Sequence, residues 1–189
     1  MSKIVVSEFV SLDGVMEDPG GAEGSKHGGW TFQFGGPAQE QWKSDELSRA
    51  DALLLGRKTY QGFAAAWPTM PGTGVYGERI NSLPKYVAST TLSEMTWNAT
   101  LLKGDLTEEL SRLKQEIDQD ILIFGSRQLV QTLQAQNLID EYRLMVFPVV
   151  LGSGKRLFGE DGEKKTLRLV ETTSFPSGVV VLTYQSAQD

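Results

Sequence analysis

The stretch Ala52-Leu53-Leu54-Leu55-Gly56-Arg57-Lys58-Thr59-Tyr60 decides how this chain is read. Four apolar residues in a row suit a strand covered on both faces. Gly56 then allows a ligand to approach the backbone with no Cβ in the way. The residues after it open a helix. Its first N–H groups lack partners within the helix, and its dipole is positive at that end. Arg57 and Lys58 add cationic charge, and a phosphate is the guest that such a terminus suits. The alternative is a plain strand-to-helix connection with two solvated basic residues.

The same arrangement returns at Ile121-Leu122-Ile123-Phe124-Gly125-Ser126-Arg127-Gln128. Here Ser126 is expected to cap a helix that turns Leu129, Val130 and Leu133 inward. In an open α/β sheet, ligands sit outside the carboxyl ends of parallel strands. Two such turns on one sheet edge could hold two parts of a dinucleotide. A third strand, Lys85 to Ser89, ends beside Thr90, and the hydroxyls of Ser89 and Thr90 suit a phosphate. With Arg57 near, a 2′-phosphate is expected, which favours NADPH over NADH.

Outward from these turns, Lys3 to Val10 reads as a first strand that runs into Ser11-Leu12-Asp13-Gly14. Residues 18 to 36 are rich in glycine and carry Trp30, Phe32 and Phe34, which suggests a ligand-facing loop. Pro37 to Ala50 reads as a helix with Trp42, Leu47 and Ala50 inward. Trp67 to Gly77 reads as a loop. Its Gly72, Gly74 and Gly77 match a dinucleotide fingerprint in letters only, because prolines and not a strand precede them. Ala99 to Leu102 is a short strand, and Asp105 with Glu108 forms a capping-box pattern before the next helix. Tyr142 to Val150 is an apolar strand interrupted by Pro148, which implies a sheet edge or a bend. Leu151-Gly152-Ser153-Gly154-Lys155-Arg156 resembles part of a P-loop without completing the pattern. Leu167 to Thr173 and Val179 to Tyr184 read as a closing β-hairpin. The sum is a single α/β domain with a mixed sheet.

Composition narrows the chemistry. The 189 residues carry a net charge of −6 and no cysteine. A nucleic-acid partner is not expected, since no basic stripe is visible. Disulfides, thiolate metal sites and thiol nucleophiles are excluded. His27, the only histidine, lies in the glycine-rich loop, so neither a catalytic triad nor a histidine metal site is expected. No apolar run is long enough to span a membrane, and no signal-peptide pattern opens the chain; a cytoplasmic protein is expected.

These residues carry a resemblance. Leu55-Gly56-Arg57-Lys58-Thr59-Tyr60 looks like the glycine-arginine motif of dihydrofolate reductases, and Ile123-Phe124-Gly125-Ser126 is similar to their second glycine turn. The pattern resembles more closely the dihydrofolate-reductase-like proteins related to the C-terminal reductase domain of bacterial riboflavin biosynthesis. The shared stretches are Ser11-Leu12-Asp13-Gly14, Gly29-Trp30-Thr31, the Gly56 motif, Trp67-Pro68, Lys85-Tyr86-Val87-Ala88-Ser89 and Pro148-Val149-Val150-Leu151-Gly152-Ser153-Gly154.

The resemblance implies a three-layer αβα fold with a mostly parallel sheet and a C-terminal antiparallel hairpin. It implies NADPH held by Gly56, Arg57, Lys58 and Thr59, by Ser89 and Thr90 at the 2′-phosphate, and by Gly125, Ser126, Arg127 and Gln128. Leu12, Asp13 and Gly14 would lie beside the nicotinamide. The acid of true dihydrofolate reductases falls at Gln39 or Glu40, depending on register, so folate itself is not the expected substrate. Asp13 or Glu40 is the proton-handling candidate. Trp30 and Phe34 are candidates to stack on a small heteroaromatic or carbonyl substrate. The expected activity is an NADPH-dependent reductase. The alternatives are a non-catalytic nucleotide-binding protein that keeps the fold, or purely structural glycine turns with the aromatic loop as a protein-binding surface. The resemblance also suggests a homodimer, through the apolar segment from Phe147 to Leu151.

Overall fold

The computed structural model describes residues 2–160 and 162–187. In chain order the elements are β1 (Ile4–Ser11), α1 (Pro37–Ser48), β2 (Ala50–Gly56), α2 (Arg57–Ala66), α3 (Gly74–Ser82), β3 (Lys85–Ala88), β4 (Ala99–Leu102), α4 (Leu106–Glu116), β5 (Asp120–Ile123), α5 (Arg127–Ala135), β6 (Glu141–Phe147), β7 (Leu167–Ser174) and β8 (Val180–Ser186). The strands form one sheet in the order β4-β3-β2-β5-β1-β6-β8-β7. The first six in that order are parallel to their neighbours, and β8 pairs antiparallel with β6 and with β7. The carboxyl ends of β1, β2, β3, β5 and β6 therefore lie along one edge.

Strand alternation divides the core into layers. Ile4, Val6, Val10, Leu54, Ile121 and Ile123 pack with Leu110 and Leu113 of α4 and with Leu129, Val130 and Leu133 of α5. Val5, Leu53, Leu55 and Leu122 take the other face, with Leu47 of α1, Tyr60 of α2 and Ile80 of α3. Each fully buried leucine is worth about 1.5–3 kcal/mol by area. A third cluster, Trp30, Met145, Phe147, Val179 and Val181, covers the β6–β8 side. Among the described residues no helix is long and apolar enough to cross a membrane.

Three sequence expectations change. The second half of the Trp67–Gly77 loop opens α3, because Tyr76, Ile80 and Leu83 recur at helical spacing and pack inward in spite of three glycines. Of the two readings of Pro148, the bend holds and the edge does not: β6 lies between β1 and β8, the strand stops at Phe147, and the chain bends at Pro148, with the Val149 N–H donating to the Phe147 carbonyl at 2.8 Å. The glycine-rich segment is a folded structure built on Asp18, which is 1% exposed. The Asp18 carboxylate accepts from the N–H groups of Glu23 and Ser25, and its carbonyl accepts from Gly21 and Gly29.

Candidate functional site

The two glycine turns meet at the carboxyl edge of the sheet, where β2 and β5 are neighbours. Gly56 donates its N–H to Ser126 Oγ at 2.7 Å, and that hydroxyl donates to Thr59 Oγ1 at 2.9 Å. Each turn leaves the other no spare room. A Cβ on Gly56 would lie 3.0 Å from Ser126 Cβ, and one on Gly125 would lie 2.8 Å from Thr59 Oγ1. Gly125 and Ser126 both adopt left-handed backbone, with φ of +62° and +66°. Ser126 occupies the cap position of α5, but its hydroxyl is turned to Gly56 and Thr59 and does not cap the helix. The start of α2 likewise has no side-chain cap. By contrast, α4 is capped as its sequence predicts: Asp105 accepts from Glu108 N at 3.1 Å.

Two helix starts without side-chain caps, bare of Cβ at Gly56 and Gly125, thus point out of one sheet edge. Arg57 and Lys58 are exposed there, and among the described residues neither forms an ion pair. Ser89 lies at the end of the adjacent β3, its hydroxyl accepting from the N–H groups of Thr91 and Leu92, with Thr90 exposed beside it. Arg127 is less free: its Nε donates to the Arg156 carbonyl at 2.7 Å. Donor N–H groups, hydroxyls and cations on one edge fit the phosphates of a dinucleotide.

Leu12, 65% exposed, and Gly14 flank Asp13 at the end of β1. Asp13 accepts from Ser11 Oγ at 2.6 Å and from the N–H groups of Leu151 and Gly152 at 3.1 and 2.8 Å. The Ser11 hydroxyl, with those amides, holds its carboxyl down at about 2. Asp13 is thus an ionised acceptor that fastens the 151–152 loop, and three amides of that partial P-loop, those of Leu151, Gly152 and Lys155, already donate within the chain. Glu40 lies on the exposed face of α1. Gln39 is the inward residue, accepting from Ser177 Oγ at 2.5 Å. Trp30 is 5% exposed, donates its indole N–H to the Glu17 carbonyl and meets Phe147 edge-on at 5.3 Å. Its ring is spent on packing. Phe34, half-buried, also packs on Phe147.

Sequence reasoning passed over a second group, built from β1 and α1. Lys43, one turn beyond Gln39, donates to Ser7 Oγ at 2.8 Å and to Glu46 Oε2 at 2.5 Å. Ser7 in turn donates to Glu46 Oε2 at 2.9 Å. The ammonium lies over the rings of Phe124 and Phe9, at 4.5 and 5.4 Å from their centroids. Tyr76 of α3 lies near enough to feel it: burial pushes its phenol up and Lys43 pulls it back. Glu8, next along β1, is buried. Burial raises its carboxyl well above the usual range, while the Gly125 N–H and Lys43 oppose the rise and Glu46 adds to it. Among the described residues Glu8 Oε1 and Glu46 Oε1 have no hydrogen-bond partner. The available signal was Ser7-Glu8 within an otherwise apolar strand, since a buried polar pair needs partners.

A parallel sheet with two glycine turns at its carboxyl edge and a C-terminal hairpin defines the dihydrofolate-reductase-like class of α/β proteins. The dihydrofolate reductase of Enterococcus faecalis, whose structure is complexed with NADP(H) and RAB-propyl, superposes with a TM-score of 0.65 at 14% identity, over 98% of this chain and 97% of that one. Within that class the chain belongs to the RibD C-terminal domain family, whose model matches residues 2–181. A putative riboflavin biosynthesis protein from Shewanella sp. PV-4 gives a TM-score of 0.78 at 23% identity, over 98% of this chain and 99% of that one. In sequence, the chain is 31% identical over 185 residues to the uncharacterized protein YyaP of Bacillus subtilis (strain 168), covering 96% of this chain and 94% of the relative.

Proposed function

We propose that the protein is an NADPH-dependent reductase acting on a small heteroaromatic, pterin- or pyrimidine-like, or carbonyl substrate other than folate. The observation that carries this reading is the interlocked pair of helix starts at Gly56 and Gly125–Ser126, with Arg57 and Lys58 beside them without ion-pair partners. In it Gly56 to Thr59 and Gly125 to Gln128 bind the phosphates. Arg57 with Ser89 and Thr90 takes the 2′-phosphate, and Leu12 and Gly14 lie beside the nicotinamide. When bound, the reduced nicotinamide supplies a hydride. The chain supplies orientation, the exclusion of water and a proton. Asp13 keeps the 151–152 loop against β1, which fixes one wall of the site. Phe34 is the member of the aromatic pair that retains a free face for the substrate. The homodimer belongs to the same proposal: Val150, in the segment from Phe147 to Leu151, is 67% exposed, apolar surface that a second copy would cover. Light scattering after gel filtration tests that part.

The cofactor is tested by calorimetric titration and by the rise in Tm with NADPH and with NADH. Micromolar NADPH binding with much weaker NADH binding is expected. Failure of both to bind overturns the reading.

A further inference from the structure

We propose that Lys43 is the catalytic proton donor of this site, and that it selects planar substrates presenting an oxo group as a hydrogen-bond acceptor. The assignment rests on the reductase reading above and adds the group that this reading lacks. Reduction of a C=N or C=O bond needs a proton for the heteroatom as well as a hydride for the carbon. Neither carboxyl candidate offers one from its place: Asp13 is an ionised acceptor engaged by three donors, and Glu40 faces away from the core.

The inward face of α1 presents Gln39, Lys43 and Glu46 instead. An ammonium has three donor hydrogens. Ser7 Oγ and Glu46 Oε2 take two of them. The third meets no oxygen or nitrogen, only the ring faces of Phe124, Phe9 and Trp42. The side chain keeps 12% exposure, and its ammonium lies among aromatic ring faces. Phe124 immediately precedes Gly125 of the cofactor turn, which brings the donor to the edge where the nicotinamide is proposed to lie. Aromatic walls and one directed cationic donor suit a flat ring with an acceptor atom. They do not suit an amino-substituted heterocycle, which offers hydrogens where an acceptor is required.

In the step itself, the hydride's electron pair forms the new C–H bond, and the π pair of C=N or C=O moves to the heteroatom. That atom takes the third proton from Lys43 Nζ. One N–H bond breaks and one N–H or O–H bond forms, leaving a neutral amine whose two remaining hydrogens still go to Ser7 Oγ and Glu46 Oε2 and which regains its proton from water. The source of the hydride leaves oxidised.

The test is calorimetric binding to the full chain, saturated with NADPH, of two probes: a dioxopteridine and the matching diaminopteridine. The wild type is expected to bind the dioxo probe more tightly. Lys43→Met is expected to weaken that probe about tenfold or more, leaving NADPH and the diamino probe unchanged. Should K43M fail to fold because Glu46 loses its nearest cation, the double variant K43M/E46Q removes both charges together. Equal affinity of the dioxo probe for wild type and variant overturns the assignment, as does wild-type preference for the diamino probe. Loss of NADPH binding with a Lys43-dependent dioxo site retained would overturn the reductase reading and leave this site standing.

Discussion

The two edges of the sheet treat charge in opposite ways. At the amino edge, charges close on one another. Arg143 lies 2.7 Å from both Asp120 and Glu141 and 3.5 Å from Glu46; Lys3 pairs with Glu141, and Lys114 with Asp140. A cavity of about 200 Å³ opens there, lined by Lys3, Arg49, Arg143, Glu46 and Glu141; Lys3 and Arg143 already face carboxylates. At the carboxyl edge, two helix starts lack side-chain caps, and Arg57 and Lys58 have no carboxylate among the described residues. Paired charge secures the register of strands. Unpaired charge and unused N–H groups are what a site keeps for a ligand.

Substitutions on either edge put this contrast at risk. The largest effect is expected for Arg143→Met, which leaves the buried carboxylates of Glu46 and Glu141 without that partner. A loss of about 3–5 kcal/mol in urea unfolding is expected, with NADPH affinity of the folded fraction unchanged. Gly125→Ala places a side chain in left-handed backbone and against Thr59. It should cost about 1–3 kcal/mol, and it should abolish NADPH binding as well, because the turn itself must shift. Arg57→Ala should reverse that balance, with stability within about 0.5 kcal/mol of wild type and roughly tenfold weaker NADPH binding, near 1.4 kcal/mol. Equal weakening of NADH would remove Arg57 from the 2′-phosphate.

A further effect concerns the exception on the closed edge. Lys85 begins β3 fully buried, donating to the Asn81 carbonyl and lying 4.0 Å from the Trp97 ring centroid, with no carboxylate partner. Burial alone brings its amine down to about 8 from 10.5. Between those values the unfolded chain binds more protons than the folded one, so stability rises with pH across that window. The slope is at most about 1.4 kcal/mol per pH unit. Lys85→Met should flatten it in chemical denaturation measured from neutral to alkaline pH.

Which parts were legible in the sequence follows from the range of the forces involved. Leu53-Leu54-Leu55-Gly56 and Ile121-Leu122-Ile123 read correctly because a strand covered on both faces is apolar throughout, a local signal. Asp105 read correctly as a cap because its partner, Glu108 N, is three residues away. Ser126 was misread because its partners are Gly56 and Thr59, far along the chain, and nothing local announces them. Trp30 stands in a glycine-rich loop, where exposure is the natural expectation; only the fold of that loop around Asp18 and the presence of Phe147 bury it. Lys43 and Glu46 read as ordinary helix charges until β1 supplies Ser7 beneath them.

The Ser126 hydroxyl has a consequence for how this chain can change over time. It ties the Gly56–Thr59 turn to the Gly125–Ser126 turn, two segments far apart in the chain. A chimera joined between α3 and α4 would inherit the two halves of this contact from different parents. Only parents that agree on the glycine, the threonine and the serine would yield an intact pair of turns at the carboxyl edge. Selection acting on either turn would meet the same barrier, and its productive steps would change the two turns as a pair.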